Sequence, residues 1–229
     1  MTILAVDTTG PVASVALSRE GKIVYEAAAN AGLTHSSIVQ PMIDEAARVS
    51  RVAPGEIDLF ACVAGPGSFT GVRIGVCCVK GMAVALGKPV VALDALEVLA
   101  MGKYGFDGVI CPILDARRGQ VYSAAFTFIS GDRPERVLPD DAVPLGDYLS
   151  RLPGGKIMFV GDGVGVHRAA IEEAMGERAI IAPDHIAQLR AGAACALAVF
   201  EKPVSAVELE PLYLRKPQAE REREKRLNG

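Results

Sequence analysis

Three short segments hold the residue types with which this sequence could do chemistry. Asp7-Thr8-Thr9-Gly10 lies between two apolar runs. A carboxylate and two hydroxyls on a tight hairpin can face a phosphate or its magnesium, a hard cation that takes oxygen ligands. The same residues also make an ordinary turn, because Asp, Thr and Gly favour one. Asp115-Ala116-Arg117-Arg118-Gly119 is the second segment. Its two arginines can grip a carboxylate or phosphate, or form a solvated turn with an internal ion pair. The third is Gly65-Pro66-Gly67-Ser68-Phe69-Thr70-Gly71. Glycines between a strand and a helix can let backbone approach an anion at the helix N-terminus.

The spacing of the third segment excludes the familiar enzyme loops. A phosphate loop needs a lysine after its last glycine, and Val72 stands there. A dinucleotide loop needs its third glycine one position earlier, and a nucleophile elbow is broken around Ser68 by Pro66 and by Phe69-Thr70. His35, His167 and His185 have no second histidine four residues on, so no metal site is expected. No Ser/His/Asp or Cys/His grouping presents itself as catalytic.

The elements that must position these segments follow from hydrophobic period and punctuation. Strands are expected at 3–6, 12–17 and 23–28, then a helix over 35–50 with Thr34 as its N-cap. A buried strand at 57–64 leads through the glycine loop into a second helix ending at Gly87. A strand at 90–93 and a short helix at 95–101 close the first half. The order then restarts, with strands at 109–114 and 120–128, an irregular stretch from 131 to 144 and a short helix at 145–151. A strand at 157–160, a helix at 164–175, a strand at 179–181 and an alanine-rich helix over 185–200 complete it. A mixed sheet flanked by helices thus occurs twice. The expected division is 1–103, 104–215 and a charged tail, 216–229.

The bulk composition bounds the function. The chain has 229 residues, 50% hydrophobic and 22% charged, with 24 basic against 27 acidic side chains and a net charge of −3. A protein that holds nucleic acid unaided carries a basic excess, since phosphate neutralisation supplies most of that affinity. Any RNA is therefore expected to be held mainly by something else. The N-terminus lacks a basic signal region, and no apolar run is expected to reach the ~18 residues of a membrane span; a cytoplasmic protein without membrane contact is expected. Cys62, Cys77, Cys78, Cys111 and Cys195 are odd in number and show no CxxC, so they read as small buried hydrophobes in a reducing compartment.

Both early helices carry more apolar surface than one sheet needs. Ile38, Val39, Met42, Ile43, Ala46 and Val49 spread over about half of the first helix, beyond a stripe of ~100°. On the second, nearly every position is small or apolar, and Arg73 and Lys80 share one polar stripe. Either the pair is sandwiched inside its own domain, or its outer face binds a partner. The partner reading takes Ile38, Val39, Met42, Ile43, Ala46, Arg73, Ile74, Cys77 and Lys80 as interface candidates.

The segments Ile3-Leu4-Ala5-Val6-Asp7-Thr8-Thr9, Ser14-Val15-Ala16-Leu17, His35-Ser36-Ser37 and 65–75, which reads GPGSFTGVRIG, resemble the TsaB (YeaZ) family. Asp115 to Tyr122, Gly161-Asp162-Gly163 and Pro211 to Arg215 are similar to it too, so the likeness runs nearly end to end. The resemblance implies a two-domain actin-like (ASKHA, ribonuclease H-like) α/β fold. It implies a non-catalytic subunit that binds the catalytic paralogue TsaD through the two N-terminal helices. With the ATPase TsaE, these proteins transfer threonylcarbamoyl to the adenosine next to the tRNA anticodon. The paralogue's metal-binding HxxxH is absent, because Val39 follows His35 by four positions; Ser37 replaces the usual acidic residue after His-Ser. Asp7, Thr8 and Thr9 then read as a vestigial phosphate turn, and Arg117 and Arg118 as anion contacts. No firmly bound cofactor is expected, with ATP or ADP and magnesium possible at the complex interface, tRNA contact only through the complex, and a homodimer as another pairing. A glycoprotease-like peptidase and a small-molecule kinase of the same fold are the alternatives.

Overall fold

The computed structural model describes residues 1–129 and 131–215; the expected charged tail lies outside the described residues. Three strands open the chain as an antiparallel meander: β1 (Thr2–Asp7), β2 (Ala13–Arg19) and β3 (Lys22–Ala29). Helix α1 (His35–Ser50) leads to β4 (Leu59–Gly65), α2 (Phe69–Leu86), β5 (Val90–Asp94) and α3 (Ala95–Met101). The second half repeats the plan with β6 (Val109–Asp115), β7 (Gln120–Thr127), β8 (Glu135–Pro144), α4 (Leu145–Leu149), β9 (Ile157–Val160), α5 (Gly163–Met175) and β10 (Ala179–Ile181). Helices α6 (Asp184–Ala187) and α7 (Ala191–Ala198) follow.

The two sheets have the same topology, β3-β2-β1-β4-β5 and β8-β7-β6-β9-β10. In each, an antiparallel meander is extended by two parallel strands. Central β1 and β4 are buried along their whole length, as their unbroken apolar runs require, while edge strand β3 is largely exposed.

Three stretches differ from expectation. Residues 135–144 form a ten-residue strand, not an irregular segment. Its Pro139 and Pro144 are tolerated because β8 is an edge strand, and the β7–β8 register shifts twice. The helix expected over 185–200 is two helices. Gln188 and Arg190 are extended, the Ala187 carbonyl accepts from Gly161 N–H at 2.8 Å, and α7 begins anew. Its first amides donate to side chains of the other sheet, Ala191 N–H to Ser14 Oγ at 2.9 Å and Gly192 N–H to Glu26 Oε1 at 2.8 Å. Helix α2 is 18 residues long with mean hydropathy 1.6, so by length and composition an apolar run of membrane-span size does exist. Here Val72, Val76, Val79 and Ala83 pack it into the core beside β4.

Three apolar clusters hold the layers. One lies between the first sheet and α1 and α2, one between the second sheet and α4 and α5. The third joins the sheets: Ile3, Leu93, Ile110 and Phe126 meet Leu96 and Leu99 of α3 and Leu197 of α7. A cut near Lys103 parts the sheets, but residues 191–215, expected with the second half, return to the first. Val204 pairs with Val90 of edge strand β5, and Ala206 and Leu209 enter the α1–α2 core. Cys62, Cys111 and Cys195 are buried as expected, whereas Cys77 is exposed on α2.

Candidate functional site

The Asp7 turn closes on itself. Asp7 Oδ1 accepts from Thr9 N–H at 2.9 Å and Thr9 Oγ1–H at 2.7 Å. The Thr8 hydroxyl donates to the Gly71 carbonyl at 2.7 Å, and Ser68 N–H donates to the Thr9 carbonyl at 2.7 Å. The glycines of the 65–71 loop explain themselves here. A Cβ on Gly67 would lie 2.4 Å from the Thr9 carbonyl oxygen, and one on Gly71 would lie 2.1 Å from that of Thr8. Their missing side chains admit the chain's own backbone, not an anion. Ser68 caps α2 by accepting from Gly71 N–H.

The second half repeats the device. Asp115 Oδ1 accepts from Arg117 N–H at 2.8 Å, two residues on, as Asp7 does from Thr9. Gly161 and Gly163 stand at the end of β9 as Gly65 and Gly67 stand at the end of β4, and a Cβ on Gly161 would meet the Ile113 carbonyl oxygen at 2.5 Å. Between the two turns lies a cleft of about 540 Å³ reached by His35, Ser68, Asp115, Arg117, Asp162 and Tyr213. Sequence reasoning singled out neither Asp162 nor Tyr213 as site residues. The repeat of glycines after β9 was the signal for the first; nothing local marks the second.

Burial dominates the electrostatics of the carboxylates in and behind this cleft. It pushes the Asp7 carboxyl up to about 6, against the hydrogen bonds from Thr9 and the pull of His35. Asp162 is raised for the same reason. His35 Nε2 lies 2.8 Å from the Gly10 carbonyl and must donate to it, so the other ring nitrogen, Nδ1, turns away from that contact. That Nδ1 is buried without a partner among the described residues. Arg117 ion-pairs with Asp115 at 3.6 Å; it and Arg118 both hold left-handed backbone, with φ of 66° and 57°. For an ATP phosphate or its magnesium the Asp7 turn fits poorly: Asp7 is 1% exposed and one carboxylate oxygen is already shared by Thr9.

The helix pair sorts its candidates by burial. Val39, Ile43 and Ala46 face inward and belong to the core, which corrects their place among the interface candidates. Ile38 and Met42 on α1 and Ile74 on α2 are half-buried, and Cys77 is exposed. Arg73 and Lys80 are engaged within the chain rather than held ready to steer a partner. Arg73 stacks 3.8 Å over Phe69 and donates to the Tyr213 hydroxyl at 2.9 Å. Lys80 Nζ donates to the carbonyls of Val207 and Leu209 at 2.7 and 3.1 Å. An apolar cleft of about 230 Å³ separates α1 from α2, with Gln40 and Asp44 at its lip and Met82 and Ala85 in its wall.

Two sheets of one duplicated topology, each with an aspartate turn at the end of its first strand, define an actin-like α/β protein. The family model described as TsaD, tRNA N6-adenosine threonylcarbamoyltransferase, matches residues 18–222. The chain is 37% identical over 183 residues to the tRNA threonylcarbamoyladenosine biosynthesis protein TsaB of Bacillus subtilis, across 79% of this chain and 80% of that one. It is 29% identical to TsaB of Escherichia coli across 94% and 95% of the two chains. Its fold is similar to that of YeaZ from Pseudomonas aeruginosa, with a TM-score of 0.79 and 28% identity across 93% of this chain and 99% of that one. The chain belongs to the TsaB family.

Proposed function

We propose that the chain acts in tRNA threonylcarbamoyladenosine biosynthesis as a non-catalytic subunit that supports a catalytic TsaD paralogue. The observation that carries this reading is the filled turn: the glycines that could have cradled a phosphate instead hold the carbonyls of Thr8 and Thr9. His35 supports it, since its Nε2 is committed to the Gly10 carbonyl and the position four residues on is a buried valine. In this reading the partner face comprises Ile38 and Met42 of α1 with Ile74 and Cys77 of α2. ATP or ADP with magnesium is assigned to contacts with TsaD and the ATPase TsaE, and tRNA to the assembly as a whole, consistent with a net charge of −3. A role in tRNA modification, as in the relatives named TsaB, supports a cytoplasmic setting.

The test is reconstitution with TsaD and TsaE of the same organism and an activated threonylcarbamoyl donor. The modified adenosine should form only when TsaD is present, and its yield should fall when this chain is omitted. Modification by this chain alone would overturn the non-catalytic reading.

A further inference from the structure

Lys103 stands apart from the two sites above. It follows α3 and is only 8% exposed. Lysine is almost never that buried without a counter-charge. Its ammonium has one recorded contact, the Gly102 carbonyl at 3.4 Å, and no carboxylate among the described residues lies within ion-pair distance. The residue lines a cleft of about 370 Å³ between α3, β3 and the break that separates α6 from α7. Leu99, Ile186 and Leu189 supply apolar wall. The charged and titratable groups around it are Glu26 of β3, Arg190 of the break and His185 of α6. Glu26 makes no ion pair with Lys103; its two oxygens accept from Gly192 N–H and the Arg190 guanidinium, at 2.8 and 3.2 Å.

We propose that this cleft binds a small organic carboxylate with a short apolar tail, its carboxylate paired with the Lys103 ammonium and its tail against Leu99, Ile186 and Leu189. A neutral ligand would leave the amine uncompensated, and a cation would add like charge to Lys103 and Arg190. An inorganic anion would forgo the apolar wall. In the free protein, burial alone lowers the Lys103 pKa to about 8. A bound carboxylate favours the charged form, so binding above that pH must recruit a proton, and affinity falls up to tenfold per pH unit there.

Hexanoate is the probe, with hexanamide and hexylammonium as isosteric controls, titrated calorimetrically into the full chain at constant ionic strength near neutral pH. Hexanoate should bind saturably and one-to-one, hexanamide at least tenfold more weakly, and hexylammonium not at all. Lys103→Met should weaken hexanoate binding tenfold or more, and wild-type affinity should decline as pH rises past about 8. The proposal fails if hexanoate gives no saturable heat at millimolar concentration, if hexanamide matches it, or if Lys103→Met binds as wild type does. The comparison of the three probes on the wild-type chain decides the question even if the variant does not fold.

Discussion

At position 71 a single methyl group would occupy the place of the Thr8 carbonyl oxygen, 2.1 Å away. That oxygen belongs to backbone, so it cannot swing aside. Gly71→Ala should therefore destabilise the chain by about 3 kcal/mol or more, in the range of severe overpacking. Gly81 of the same helix meets nothing within 4 Å. Gly81→Ala should stabilise by about 0.5–1 kcal/mol through helix propensity. Urea denaturation of both variants checks the pair. Asp7 offers a test by pH. Its folded-state pKa of about 6 lies above the ordinary 3.8, so the protonated form is favoured by folding. Its contribution is fully present below about pH 4 and lost as pH rises through 6. Asp7→Asn removes that dependence and keeps an oxygen for Thr9. The variant's stability relative to wild type should grow between these pH values to on the order of 2 kcal/mol by pH 7. A flat difference across urea melts at pH 4 and pH 7 would contradict it.

At the scale of elements, α1 separates an inner stripe from an outer one, and its substitutions should part company. Val39→Asp places an unpaired carboxylate in a site 3% exposed, costing several kcal/mol, and should unfold the first lobe. Met42→Asp lies at the half-buried margin and should leave circular dichroism nearly unchanged while abolishing co-elution with TsaD. If Met42→Asp folds and still co-elutes, the helix-pair face is not the contact. The sequence shows α1 from His35 to Ser50 because its apolar period and its Thr34 entry agree, although the Thr34 side chain makes no capping hydrogen bond. It cannot show which part of a broad apolar arc turns inward, since sheet and partner select the same residue types. Strand β8 is hidden for a different reason. Pro139, Asp140, Asp141 and Pro144 carry turn chemistry, and only the edge position makes them acceptable in a ladder. The break between α6 and α7 is invisible because Gln188, Leu189 and Arg190 are good helix formers. It is imposed from a distance by Gly161, Ser14 and Glu26, which take up the backbone groups freed there. The glycine loop was legible as a special place, yet its occupant was not, because a glycine reports close approach without saying whether backbone or ligand approaches.

Across the whole molecule, residues 203–215 strap the first lobe. Lys80 holds the strap through two carbonyls, Arg73 through Tyr213, and Leu212 N–H donates to the Ala64 carbonyl at 2.7 Å. Lys80→Met keeps the length of the side chain and removes both bonds. It should cost about 1–3 kcal/mol and speed proteolytic nicking between 203 and 215; an unchanged cleavage pattern would show that the Val90–Val204 pairing and Leu209 suffice. The strap and α7 also set an order of events during synthesis. The face of the first sheet covered by α7 is complete by residue 103, but its cover begins at Ala191. At ~5–20 residues per second a ribosome needs roughly 5–20 s to bridge that interval. For those seconds a nascent chain displays Ile3, Ala5, Leu59 and Leu93 with part of their packing still unmade, so the first lobe completes its core only after nearly all of the second has been synthesised.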